Sequence, residues 1–172
     1  MRPATYGPFE LGVKSARPVR CPAWPAVGQA YGRLQEPSFM AGMFVPAPEA
    51  VREHLDWGSL AWCCRPSTTG ARQLVVIEVT LAPGGGHAFH HHPKQEEVIY
   101  VMDGQVEQWL DRQKRVLSAG DAVFIPAGCV HASFNTSTQD ARLLAILGPS
   151  MDTDSGYEVV EVADQPPWNQ LR

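Results

Sequence analysis

The sequence has no apolar run approaching the roughly 20 residues that a membrane-spanning helix needs, so no membrane segment is expected. It also has no excess of basic residues, since 14 Lys and Arg against 18 Asp and Glu give a formal net charge of −4. Because a nucleic-acid partner normally requires a basic face, nucleic acid is not expected as a partner. The first residues contain no basic segment followed by an apolar stretch, so a secretory signal is not expected either.

Cysteine is scarce, and its positions, Cys21, Cys63, Cys64 and Cys129, show no Cys-x-x-Cys spacing. Without a secretory signal, disulfide bonds are not expected, and a reducing, cytoplasmic location is predicted. Cys129 lies two residues before a histidine of the motif described below. A redox or ligand role is one interpretation of Cys129, and an ordinary loop residue is the one we favour.

Regular periodicity is missing from residues 1–50, which hold eight of the fifteen prolines. Such a segment cannot form a compact core of its own. We therefore predict a Pro-rich arm over 1–50, partly irregular or disordered, then one β-barrel over 51–150. A C-terminal extension over 151–172 could add an edge strand near 158–162. Within this scheme, Pro48 near a first helical position predicts one or two helical turns from Pro48 to Leu55.

Strand signals dominate from Trp57 onward. The stretch 73–81 is rich in β-branched residues, and similar short apolar stretches follow at 97–102, 105–110, 121–125, 130–135 and 141–147. Turn signals separate them, such as Asp103-Gly104. Eight or more short strands with regular turns predict an all-β fold that is closed or sandwiched.

Two stretches carry the chemistry. The first is Gly84-x5-His90-x-His92-x4-Glu97-x6-Gly104, and the second is Gly120-x5-Pro126-x-Gly128-x2-His131-x3-Asn135. His90 and His92 are two residues apart, so on a strand they face the same side. Glu97 opens the next strand and His131 a third. Three imidazoles and one carboxylate that converge inside a β-barrel predict a transition-metal site.

These stretches resemble the two motifs of the cupin superfamily at every fixed position. The resemblance covers about residues 57–148. It implies a double-stranded β-helix, the jelly-roll antiparallel barrel, with the three histidines and Glu97 as ligands of one divalent metal ion. The ligand types suit Fe, Mn, Ni, Cu or Zn and do not choose among them.

Neighbouring residues offer alternatives to this ligand set. His87 and His91 have the opposite parity to His90, and Glu96 has the wrong spacing to Gly104, so all three are left out. The predicted substrate pocket consists of residues that share the ligands' parity on the neighbouring strands, namely Ile99, Val101, Gln108 and Ser133. No Lys or Arg falls on a ligand-facing position of the motif strands, which favours a neutral substrate.

Three functions are compatible with these residues. The first is a small-molecule metalloenzyme such as a non-haem dioxygenase, in which Glu97 could also act as general base. The second is a non-catalytic module that binds a sugar or polyol, and the third is a metal that only stabilises the barrel. The resemblance also implies a homodimer, because small cupins commonly form dimers.

Overall fold

The computed structural model describes residues 42–172, so most of the predicted Pro-rich arm lies outside the described residues. Two antiparallel sheets make up the fold, as predicted. The strands are β1 (Val51–Leu55), β2 (Gly58–Cys64), β3 (Val75–Leu81), β4 (Gly86–His91), β5 (Glu96–Asp103), β6 (Gln105–Leu110), β7 (Gln113–Ser118), β8 (Ala122–Ile125), β9 (His131–Phe134), β10 (Ala141–Gly148) and β11 (Val160–Glu161). A one-turn helix, α1 (Pro66–Thr69), and a 3₁₀ turn (Trp168–Gln170) complete it.

The two sheets have crossover connections. One sheet has the order β1-β2-β3-β10-β5-β8, and the other has the order β11-β4-β9-β6-β7. Several pairs of strands that are neighbours in sequence, such as β3 and β4 or β4 and β5, therefore lie in different sheets. This is the double-stranded β-helix arrangement that was predicted, and it places β4, β5 and β9 around one interior.

The main core fills the space between the sheets. Strand β3 shows why, because its alternate residues Val75, Ile77, Val79 and Leu81 are buried while those between them are less so. They pack with β5 and β10 and with Val106 of the opposite sheet. This period-two pattern gives each sheet one apolar inner face.

A second, smaller cluster lies on the other face of the five-stranded sheet. Phe89, Trp109, Ala132 and Val162 form it, and Trp168 packs against them. The C-terminal residues therefore cover the outer face of this sheet. The short strand β11 adds to the sheet's edge beside β4.

One local prediction is wrong. The stretch from Pro48 to Leu55 does not form helical turns, because residues 47–50 form a turn and β1 follows. β1 pairs with β2 over its whole length, from Val51 opposite Trp62 to Leu55 opposite Gly58. These backbone hydrogen bonds outweigh a weak local preference for helix. In residues 42–172, no helix has the length and apolar character needed to cross a bilayer.

The domain boundaries at residues 50 and 150 stay predictions. The barrel strands β1 to β10 run from Val51 to Gly148.

Candidate metal centre

Four side chains from three strands and one loop meet inside the barrel. His90 lies on β4, His92 follows directly after that strand, Glu97 lies on β5 and His131 begins β9. All four are buried, and their nearest ligand atoms lie within 4.8 Å of one another. The sheet register brings His90 opposite His131, and Glu97 reaches them from the other sheet.

The turns around these residues have strict backbone requirements. Gly104 and Gly128 adopt φ values of 76° and 77°, which glycine tolerates and most residues avoid. The Gly128 N–H donates a hydrogen bond of 2.8 Å to the carbonyl of His92. The second motif loop is therefore attached directly to the first, which explains why glycine at this spacing accompanies the histidines.

Backbone carbonyls select the tautomer of each imidazole. The Nδ1–H groups of His90, His92 and His131 donate to the carbonyls of Ala88 (2.6 Å), Glu158 (2.6 Å) and Cys129 (3.0 Å), respectively. Since each ring donates through Nδ1, each Nε2 carries a free lone pair. This is the arrangement in which metal-ligating histidines are usually held.

Three hydrogen-bond acceptors lie close together here, namely Nε2 of His92, Nε2 of His131 and Oε2 of Glu97, and none of them carries a proton to donate to another. His131 Nε2 lies 2.9 Å and His92 Nε2 lies 3.4 Å from Glu97 Oε2. Among the described residues, none of these three buried atoms has a hydrogen-bond partner with suitable geometry. Buried polar atoms are normally satisfied, so such a cluster needs a compensating cation. A divalent transition metal fits this donor set of imidazole nitrogens and one carboxylate.

The protonation states suit such a cation. Burial tends to raise the pKa of Glu97, but the adjacent imidazoles of His131 and His92 outweigh it and hold this pKa well below its usual range. Burial, together with the nearby His87 and His131, lowers the pKa of His90 well below its usual value. At neutral pH the site therefore offers an ionised carboxylate and a neutral imidazole.

Of the four residues predicted to form the substrate pocket, two line a cavity at the site and two do not. Ile99 and Ser133 line a cavity of about 450 Å³ that also contacts His90, Glu97 and His131. Val101 is fully buried in the core, and Gln108 is satisfied elsewhere, since its amide donates to the Trp109 carbonyl. Gln108 Oε1 accepts the Ser133 hydroxyl at 2.7 Å, so these two side chains bond to each other. Glu96 is exposed, as its spacing suggested.

Strand alternation misplaced His87. This residue lines the cavity and stacks between the Trp57 ring, at 5.5 Å, and the His90 ring, at 3.7 Å. The pairing of β4 with β9 shifts register between His87 and His90, and this bulge puts residues three apart on one side. His87 Nε2 lies 3.3 Å from Glu161 Oε1 at the same wall.

The C-terminal residues contribute side chains that no sequence signal predicted. Tyr157, Val159 and Glu161 line the cavity, as do apolar residues of β3 and β10. The Tyr157 ring lies 5.0 Å from the His92 ring, and burial raises the pKa of its hydroxyl above the usual range. Within residues 42–172, His91 is not part of either converging group of possible ligand atoms.

Comparison with known proteins agrees with this geometry. A family model described as a cupin domain matches residues 77–147. Protein SchB of Streptomyces halstedii is 34% identical over 101 residues, which are 58% of this chain and 73% of SchB. Quercetin 2,3-dioxygenase of Bacillus subtilis is 28% identical over 79 residues, which are 46% of this chain and 23% of that enzyme.

Solved structures show the same fold. KdgF from Halomonas sp. superposes with a TM-score of 0.58 at 22% sequence identity, covering 65% of this chain and 97% of that one. Taken with the match to the cupin domain, the similarity to SchB and the two-sheet barrel, this likeness shows that the chain belongs to the cupin superfamily.

Proposed function

We propose that His90, His92, Glu97 and His131 bind one divalent transition metal and that the protein is a small-molecule metalloenzyme, a non-haem dioxygenase. One observation carries this proposal. The buried acceptor atoms of His92, His131 and Glu97 face one another unsatisfied, and His90, Glu97 and His131 also line a cavity large enough for a drug-sized ligand. A metal that only stabilised the barrel would not need such a cavity beside it.

The bound metal would supply Lewis-acid or redox chemistry to a substrate and dioxygen in the cavity. The chain's own residues would do the rest. Glu97 is ionised and lines the cavity, so its carboxylate can accept a proton from a substrate hydroxyl.

The cavity walls support a neutral, aromatic substrate. Aliphatic side chains are the largest group of lining residues, and many of them come from β2, β3 and β10; the stacked Trp57 and His87 rings also line the cavity. Among the described residues, no Lys or Arg lines this cavity. Arg142 on β10 pairs with Glu78 instead, with 3.2 Å between Nη2 and Oε1. A phenol, flavonoid-like molecule or diketone matches these walls better than an anion does.

A similarity to a named enzyme also supports this class of reaction. The matching part of quercetin 2,3-dioxygenase belongs to a protein whose name describes oxygen insertion into a flavonoid. Sugar or polyol binding without turnover is less well supported, because Ser133 and Gln108, its predicted hydrogen-bond partners, already satisfy each other.

Oxygen uptake tests the proposal. Protein loaded anaerobically with Fe(II) should consume O₂ with at least one member of a panel of neutral phenols, flavonoids and diketones. Glu97→Gln should abolish uptake, and the control variant Glu96→Gln, at an exposed neighbouring position, should not. If protein from its native host is fully occupied by zinc and the iron form consumes no O₂, the protein would instead be assigned as a non-catalytic binding module.

We also propose a homodimer in a reducing, cytoplasmic location. The outer face of the six-stranded sheet exposes Leu74, Tyr100 and Phe124 by 51%, 42% and 54%, which supports a partner there. The three cysteines in residues 42–172 are free thiols, which is consistent with that compartment. Light scattering should give a dimeric mass that Phe124→Asp reduces to a monomeric one. A monomeric wild-type protein would contradict the dimer.

A further inference from the structure

A segment outside the matched cupin domain forms one wall of the cavity. The family match ends at residue 147, and the chain then continues through residues 149–161, here called the C-terminal wall. Alternate residues at its end, Tyr157, Val159 and Glu161, line the cavity. Its position therefore determines the shape of the site.

Gln95 attaches this wall to the loop that carries the first motif. Its side chain is buried, with 1% exposed, although glutamine is usually a surface residue. The amide nitrogen donates to the carbonyls of Pro149 (2.9 Å) and Gly156 (3.0 Å), and Oε1 accepts the Glu158 N–H (3.0 Å). The two N–H donors and the oxygen of the Gln95 amide therefore all bond to one segment, which lies 54 to 63 residues further along the chain.

The same segment contacts the candidate metal centre. The Glu158 carbonyl accepts the Nδ1–H of His92 at 2.6 Å, one peptide unit from the N–H that Gln95 holds. A shift of the wall would therefore move the group that sets the tautomer and orientation of His92. Outer partners of this kind normally tune a metal site.

The wall also carries a free polar group. Within residues 42–172, no group accepts a hydrogen bond from the Tyr157 hydroxyl, although the residue is partly buried and lines the cavity. The lining is otherwise mostly apolar, so this hydroxyl is placed to bond to an oxygen atom of a bound molecule.

We propose that Gln95 is a positioning residue that fastens the C-terminal wall, so that Glu158 orients His92 and Tyr157 selects ligands carrying a phenolic oxygen. The inference rests on the proposed function for its metal and its ligand. The fastening itself can be tested without either.

Hydrogen–deuterium exchange tests the fastening. Gln95→Met keeps the length of the side chain and removes its three hydrogen bonds. The matched control is Gln105→Met, at an exposed glutamine whose side chain donates to the Ser118 hydroxyl. Exchange at residues 157–161 should become about tenfold faster in Gln95→Met and stay unchanged in the control, because local opening governs exchange. Unchanged exchange in Gln95→Met would overturn the proposal.

Co²⁺ binding and 4-nitrocatechol, a phenolic probe, test the consequence. Gln95→Met should weaken Co²⁺ roughly tenfold and alter its visible spectrum, as loss of an outer partner does. Tyr157→Phe, which preserves the ring, should leave Co²⁺ binding intact and weaken 4-nitrocatechol about fivefold, the equivalent of one hydrogen bond. If Gln95 acts through the wall, Tyr157→Phe should have no further effect in Gln95→Met.

Two outcomes separate this inference from the proposed function. If exchange is faster in Gln95→Met but the wild type binds no Co²⁺, the proposed metal centre would be wrong and the fastening of the wall by Gln95 would stand. Additive effects of the two substitutions on 4-nitrocatechol would show that Gln95 does not position Tyr157, and the inference would be wrong while the metal centre stood.

Discussion

The stability added by a metal is the most direct test of the candidate metal centre. The perturbation is alanine in place of each histidine, His90, His92 or His131, with His91→Ala as the matched control. His91 is the same residue type between two of the others, and it lies outside the converging group. The measured quantity is the increase in Tm when metal is added to each variant. Because each variant is compared with its own metal-free form, a loss of stability that the substitution causes without metal cancels.

The magnitude follows from linkage. Metal present at 100 times its Kd stabilises the folded state by about 2.7 kcal/mol. For a chain of this length, 172 residues, each kcal/mol raises Tm by about 2–4 °C. The wild type should therefore gain about 5–11 °C. A variant whose Kd is about 100-fold weaker retains only about 0.4 kcal/mol at the same concentration, which is about 1 °C.

Differential scanning fluorimetry with Zn²⁺, Co²⁺ or Mn²⁺, together with metal analysis after gel filtration, measures both quantities. The three ligand variants should lose most of the shift and the bound metal, and His91→Ala should keep both. Equal loss in His91→Ala and His92→Ala would show that the faces of β4 are assigned wrongly. A full shift in all four variants would show that the metal binds elsewhere.

The remaining predictions concern pH, the cavity and the core. Tm of the metal-loaded protein should fall as pH decreases below about 6.5, the usual pKa of histidine, because the unfolded chain then binds protons that metal-bound imidazoles cannot, and metal content should fall with it. The lowered pKa values of His90 and Glu97 act in the same direction, since the unfolded chain then binds more protons, and for Glu97 the loss continues below its usual value of 4.5. A flat profile between pH 7 and 5 would exclude this site. Trp57→Leu should weaken binding of 4-nitrocatechol by the cobalt form and leave Co²⁺ binding unchanged, whereas weaker Co²⁺ binding would assign Trp57 to the metal centre. Leu81→Ala should destabilise the fold by about 2–5 kcal/mol in urea denaturation, because this side chain is fully buried in the main core.

Period-two alternation made much of the fold predictable. The stretch around β3 reads as a strand because one face is apolar at every second residue, and Asp103-Gly104 marks a hairpin. The spacing of His90, His92 and Glu97 could be read for the same reason. Each lies on or beside a strand, and the turn glycines fix where that strand begins and ends.

Features that depend on partners distant in sequence could not be read in this way. His87 was excluded by parity because a bulge in the pairing with β9 leaves no mark in the local sequence. β1 was predicted as helical turns from the position of Pro48. In the structure its five residues are all exposed, so they carry no apolar alternation that would mark a strand, and it is the pairing with β2 that makes them one. The buried amide of Gln95 has the same origin, since its partners lie beyond residue 148.

The candidate metal ligands and several of the cavity residues lie in different parts of the chain. The four converging side chains all fall within residues 77–147, the part that matches the cupin domain. Trp57, Tyr157, Val159 and Glu161 also line the cavity and fall outside that part. A barrel of this family can therefore keep one set of ligand atoms while the flanking segments change the space next to them. On this reasoning, ligand preference in this chain should respond to changes at Trp57 and Tyr157, and metal affinity to changes at the histidines and to Gln95, which joins the two parts.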